Sequence, residues 1–133
     1  MTTILILLVF SLAAPLPLLV IEHFLPYPFV IEELLKVILI YILINQEKKL
    51  KKNLFLYVII SGLFFSISES IFYLINIFAI QNYFIFFQRL LFTSILHICT
   101  LIIIYIFFKC NKYWWIFGFS LAIFIHFLYN YLI

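Results

Sequence analysis

Of the 133 residues, 68% are hydrophobic and 22% aromatic, and only 10% are charged. Soluble domains run at about 45–50% apolar and about 25% charged, and one soluble core of this size cannot hide so much apolar surface. Disorder, nucleic-acid binding and a disulfide-built secreted scaffold are excluded, and the net charge of +3 matters only through where the charges sit.

In chain order, the first apolar run extends from Thr3 to Ile21 and is expected to kink or break at Pro15 and Pro17. It lacks a basic n-region and a small-x-small cleavage site, so it reads as a retained helix rather than a signal peptide. Glu22 to Pro28, with Pro26 and Pro28, reads as a turn in which Glu22 and His23 are solvated. A second run covers Phe29 to Asn45 and ends at the charge cluster between Gln46 and Asn53. The third run is Leu54 to Phe78, the fourth Phe84 to Phe108 after a break at Gln81-Asn82, and the fifth Tyr113 to Ile133. A membrane helix needs about 20 mostly apolar residues, and runs without two-residue alternation are helices rather than barrel strands. The expected fold is all-α: a polytopic membrane helix bundle of about five transmembrane helices, forming one integral-membrane domain over residues 1–133. Cys99 and Cys110 have neither metal-type nor redox-type spacing and read as unpaired.

Lysine placement sets the expected orientation. Lys48, Lys49, Lys51, Lys52, Lys109 and Lys112 fall in two connections separated by two spans, and the other two connections hold no Lys or Arg. By the positive-inside rule the lysine connections are cytoplasmic. The N-terminus is then cytoplasmic and the C-terminus extracytoplasmic, in a multi-pass protein of the cell membrane. Tyr113, Trp114 and Trp115 form an interfacial aromatic anchor.

Glu32, Glu33, Lys36, Glu69 and Arg89, with His97 and His126, fall inside the expected spans. A charge near the bilayer centre costs at least about 2.5–3.5 kcal/mol, so these residues are expected to meet one another. Their formal sum is three negative and two positive, which one protonated histidine would neutralise. Helical phase agrees. Glu32 and Lys36 share a face with Glu33 beside them; Ser66, Glu69, Tyr73 and Asn76 form a stripe; so do Arg89, Thr93, His97 and Thr100; and Gly118, Ala122, His126 and Asn130 recur every four residues. Ser66, Thr93 and Asn76 read as packing contacts. The remaining polar residues, at similar depth on four helices, describe a buried polar pocket in the outer half of the bilayer.

Several chemistries fall away by inspection. The chain contains no Asp, no His-Glu-x-x-His and no Gly-x-Ser-x-Gly. Carboxylates with histidine suit activation of a water by a general base, with His126 and Asn130 placed to donate to a developing oxyanion. Zinc is a rival, because Glu and His are zinc ligands; the set would be Glu69, His97 and His126.

Glu32-Glu33-Leu34-Leu35-Lys36 resembles the Glu-Glu-x-x-Lys motif of PrsW-type glutamic intramembrane proteases, part of the wider group of CAAX-prenyl and bacteriocin-processing membrane proteases. The segment from Gly62 through Phe65 and Glu69 to Tyr73 resembles the family's second motif, with Ser70 where the family has Asn. Arg89 with His97 resembles the third, and His126 to Asn130 the terminal His-x-x-x-Asn, with Phe127 where Gly is common. The resemblance implies an intramembrane endopeptidase that hydrolyses a peptide bond of a membrane-spanning protein or peptide through a glutamate-activated water. In that expectation Glu32 or Glu33 is the base, Glu69 and His97 orient the water or relay protons, and His126 and Asn130 stabilise the oxyanion. Lys36 and Arg89 balance charge, no cofactor is needed, and the partners are the substrate and the lipid bilayer rather than nucleic acid. Two other classes suit the same pocket: a non-catalytic membrane binding or immunity protein, and a small ion or proton translocator.

Overall fold

The structure, a computed structural model, describes residues 2–22, 24–46, 54–80, 83–111 and 113–132. His23, the segment 47–53 with its lysine cluster, Gln81, Asn82 and Lys112 lie outside the described residues, as do the side chains of Glu22, Tyr73 and Asn76.

The chain is an all-α helix bundle. Its elements are α1 (Thr2–Ala13), α2 (Pro15–Glu22), α3 (Pro28–Asn45), α4 (Leu54–Ile80), α5 (Tyr83–Cys110) and α6 (Trp115–Leu132). α1 and α2 are the two halves of the first apolar run. Pro15 has no N–H to give a helical bond, so the run breaks at Ala14, whose own N–H still reaches Phe10 O at 2.8 Å. Pro28 opens α3, where a missing N–H costs nothing and the fixed φ suits the first turn.

Three stretches are long and apolar enough to cross a membrane: Leu54–Ile71 within α4, and the whole of α5 and α6. α3 matches α6 in length at 18 residues, but it carries Glu32, Glu33 and Lys36. The span count of five therefore requires the short apolar stretch Leu5–Leu18 and the charged α3 in addition. Residue placement is inverted relative to a soluble domain. Leu63, Ile67, Leu91, Ile95, Phe117 and Phe124 are exposed, while Glu33, Lys36, Ser66, Thr93, His97 and Thr100 are buried. An apolar exterior around a polar interior is what a hydrocarbon solvent selects.

α4 packs most extensively on α5, and α5 on α6; α3 lies against both α5 and α6, with α1 against α4 and α2 against α3. Close approach of α4 to α5 depends on Gly62, where a Cβ would lie 2.9 Å from Ile98 Cα. The interior is layered. Leu39, Ile40, Leu43, Val58, Leu101, Ile104 and Ala122 fill the half in which α3 ends, α4 begins, α5 ends and α6 begins. This half is called the lysine end below. The charged and histidine residues occupy the opposite half.

Candidate functional site

α3 supplies three charges from little more than one turn. Glu33 and Lys36, three apart, form a buried ion pair in which Lys36 Nζ donates to Glu33 Oε1 at 2.6 Å. Lys36 also donates to Thr100 Oγ1 on α5 at 2.8 Å. Its ammonium lies 5.9 Å from the ring centroid of Phe65, a cation–π distance. The same Glu33 oxygen accepts from His126 Nδ1 on α6 at 2.7 Å. Glu33 and Lys36 are both fully enclosed. Glu33 thus ties α3 to α6, and Lys36 ties α3 to α5.

A second group forms between α4 and α5. His97 Nε2 donates to Glu69 Oε2 at 2.5 Å, and Arg89 Nη2 stands 3.7 Å from Glu69 Oε1. The His97 ring packs against Phe65, centroids 5.8 Å apart. Hydroxyls beside the charges hold these helices together: Ser66 bonds Ser94 at 2.6 Å, and Ser70 meets Thr93 at 3.3 Å. This is the packing role expected for Ser66 and Thr93.

Glu32 sits where the two groups meet. Its Oε2 is 3.7 Å from His126 Nε2, and its carboxylate lies with ligand atoms of Glu69 and His97 in a set spanning no more than 4.8 Å. The rings of His97 and His126 face edge to face at 5.9 Å, so the two histidines bracket the same space. The side chains of Glu32 and Glu69 keep 11% and 19% exposure, against 0% for Glu33. Glu69 and, to a smaller degree, Glu32 are therefore less enclosed than Glu33, although the Glu32 Oε2 atom is itself covered.

The expected residues converge, with one at a distance. Glu32, Glu33, Lys36, Glu69, Arg89, His97 and His126 form one cluster drawn from four helices. Asn130, one turn beyond His126 on α6, is exposed at the edge of the bundle. Thr100, a member of the polar stripe on α5, receives Lys36, and Phe65, part of the second motif, lies against His97; neither carried an assigned role from sequence, and the ring of Phe29 was not singled out at all. Phe29 packs on His126 at 5.7 Å. A sequence signal existed for each ring, since Phe29 precedes Glu33 by one turn and Phe65 precedes Glu69 by one turn.

The trio with metal-like spacing is Glu32, Glu69 and His97, so Glu32 takes the position that the sequence suggested for His126. Two carboxylates and an imidazole suit zinc with one position open. A histidine bound to zinc normally donates its other nitrogen to an acceptor, and His97 Nδ1 is buried with no hydrogen-bond partner among the described residues. The donor types fit a metal better than their surroundings do.

No family model matches the chain, and no curated protein and no solved structure is similar to it.

Proposed function

We propose that the protein is an intramembrane endopeptidase that hydrolyses a peptide bond of a membrane-spanning substrate with a water activated by Glu32. The observation that carries this is the division of labour between adjacent glutamates. Glu33 Oε1 is held by Lys36 and His126, whereas Glu32 borders the space bracketed by the two histidines and Glu69. A general base must reach its water and take a proton, which suits Glu32 and not the enclosed Glu33.

In this reading Glu32 removes a proton as the water oxygen attacks the carbonyl carbon. The proton passes to the departing amine as the C–N bond breaks. Glu69, paired with His97 and Arg89, orients the water. Glu33 accepts from His126 Nδ1 and so positions the ring; His126 serves as an oxyanion donor through Nε2 in its doubly protonated form, the one protonated histidine that balances the cluster's charge, and Asn130 at the edge is the second donor. The resemblance of the Glu32-to-Asn130 motifs to PrsW-type proteases points to the same chemistry. With the lysine end cytoplasmic, the cluster lies in the extracytoplasmic half of the bilayer, and cleavage falls there or just outside.

An ion or proton translocator fits less well. Among the described residues the lysine half of the interior is mostly Leu39, Ile40, Leu43, Leu101, Ile104 and Ala122, with the hydroxyls of Ser61, Tyr57 and Tyr105 scattered among them and no titratable carboxylate or imidazole to relay a proton.

The deciding experiment compares membrane-protein N-termini in cells carrying the intact protein, the Glu32→Gln variant at equal expression, or neither. New N-termini at or near the outer membrane face, present only with the intact protein, are expected. Identical termini in all three would remove the protease reading in favour of a binding or immunity protein, whose phenotype should survive Glu32→Gln.

A further inference from the structure

Two helices repeat the same spacing of an aromatic ring and a carboxylate: Phe29 and Glu33 on α3, Phe65 and Glu69 on α4. Four residues make about one helical turn, so in each pair both side chains leave the same face. Each pair closes on one histidine of a neighbouring helix. Phe29 lies 5.7 Å from the His126 ring on α6 with the ring planes 39° apart, and Glu33 Oε1 accepts from its Nδ1 at 2.7 Å. Phe65 lies 5.8 Å from the His97 ring on α5 with the planes 38° apart, and Glu69 Oε2 accepts from its Nε2 at 2.5 Å. Both the separation and the tilt of the rings are thus nearly identical at the two histidines.

We propose that Phe29 and Phe65 are positioning residues, each completing with its glutamate a two-point clamp on one imidazole. The outer torsion of a histidine side chain is broad and roughly two-fold, so one hydrogen bond does not fix the plane of the ring. A flat ring packed on the imidazole removes that freedom, which a branched aliphatic side chain cannot do. The two clamps grip opposite nitrogens. They leave Nε2 of His126, 3.7 Å from Glu32 Oε2, and Nδ1 of His97, which is buried with no hydrogen-bond partner among the described residues. A half-turn of either ring would set a carbon where its glutamate now meets an N–H and would carry the remaining nitrogen away. Phe65 has a second neighbour, because Lys36 Nζ stands 5.9 Å from its ring centroid. A variant at Phe65 is therefore read at both histidines. The clamps stand whatever the cluster does; their effect on hydrolysis rests on the protease reading.

The chain has three histidines, so in a His23→Gln background only His97 and His126 give ring signals. The full chain, labelled with nitrogen isotope in histidine, is reconstituted in lipid bilayers. Solid-state NMR then reads which ring nitrogens carry protons and how rigid each N–H bond is. In the parent both rings should be rigid, with His97 in one form, protonated at Nε2. Phe65→Leu keeps an apolar side chain of similar bulk. It should loosen His97, with a second form protonated at Nδ1, and leave His126 as it was. Phe29→Leu should do the reverse. Phe29→Tyr keeps the ring at a half-buried position and should restore His126. Outer-face N-termini should fall about 10–100-fold with either leucine variant and recover with Phe29→Tyr. Rigid rings in both leucine variants would overturn the proposal. So would loosening of both histidines by one variant, which is general loss of packing or relay through Lys36. Loosened rings with undiminished cleavage would overturn the positioning role and leave the protease reading standing. N-termini missing even from the parent would remove the protease reading, and the ring pattern alone would then decide the clamp.

Discussion

The Lys36–Glu33 pair is fully buried at 2.6 Å, and each partner has a further bond, to Thr100 and to His126. Removing one member leaves an uncompensated charge in the bundle. Glu33→Gln and Lys36→Met should therefore each cost about 3–5 kcal/mol, and Glu33→Gln/Lys36→Met should recover much of the loss. Thermal unfolding in detergent measures this, and additive losses would mean that the pair is not a coupled unit. Catalysis should behave the same way. Glu32→Gln, Glu33→Gln and His126→Ala should each abolish hydrolysis in the folded fraction, with the triple variant no worse than the worst single one. A much worse triple variant would show independent contributions.

The proposed base makes a further demand at this scale. If Glu32 activates water without a metal, hydrolysis persists after exhaustive chelation and dialysis, and elemental analysis finds no stoichiometric zinc. Activity restored only by added zinc would instead make Glu32, Glu69 and His97 ligands, in keeping with their 4.8 Å grouping.

Between helices, the cluster depends on how closely α4 approaches α5, because Glu69 and His97 sit on opposite sides of that contact. At Gly62 an added Cβ would meet backbone, with Ile98 Cα at 2.9 Å and Ile98 N at 3.0 Å. At Gly118 it would meet Phe107 Cβ at 2.9 Å, which is also fixed by its backbone, but the next atoms, Phe107 Cγ at 3.2 Å and Ile104 Cα at 3.3 Å, leave more room than at Gly62. Gly62→Ala should thus destabilise by about 1–3 kcal/mol, more than Gly118→Ala, and Gly62→Leu should also cut activity by pushing Glu69 away from His97. Melting temperatures rank the two alanine variants; the reverse order would mean that the α5–α6 contact is the tighter one.

For the whole molecule, the prediction concerns the side from which the cluster is reached. Glu32 lies one turn inside the Pro26-Tyr27-Pro28 turn, Arg89 near the start of α5 and His126 near the end of α6, all opposite the lysine end. Cys99 and Cys110 are free and exposed, so the experiment starts from a variant lacking both. Cysteines at Tyr27, Asn82 and Leu132 should react with a membrane-impermeant thiol reagent on intact cells, and a cysteine at Asn53 should not. The opposite pattern would turn the cluster to the cytoplasm and with it the class of substrate.

Composition determined that the chain is built for an apolar surrounding, and long apolar runs without two-residue alternation determined that it is helical, because in lipid only a helix pairs its backbone groups within its own segment. Spacing determined which residues share a face, since helical periodicity is local: Glu32, Glu33 and Lys36 were bound to lie together whatever surrounded them. Which glutamate is enclosed was not legible. The two are adjacent in sequence, and only the approach of α5 and α6 consigns Glu33 to Lys36 and His126 while Glu32 meets Glu69 and His97. Thr100 was legible as a member of the α5 stripe but not as the acceptor for Lys36, because that partner is 64 positions away. Asn130 shows the limit from the other side: it shares the His126 stripe, yet it is exposed, because a stripe specifies direction around a helix and not how far the neighbouring helices extend to cover it.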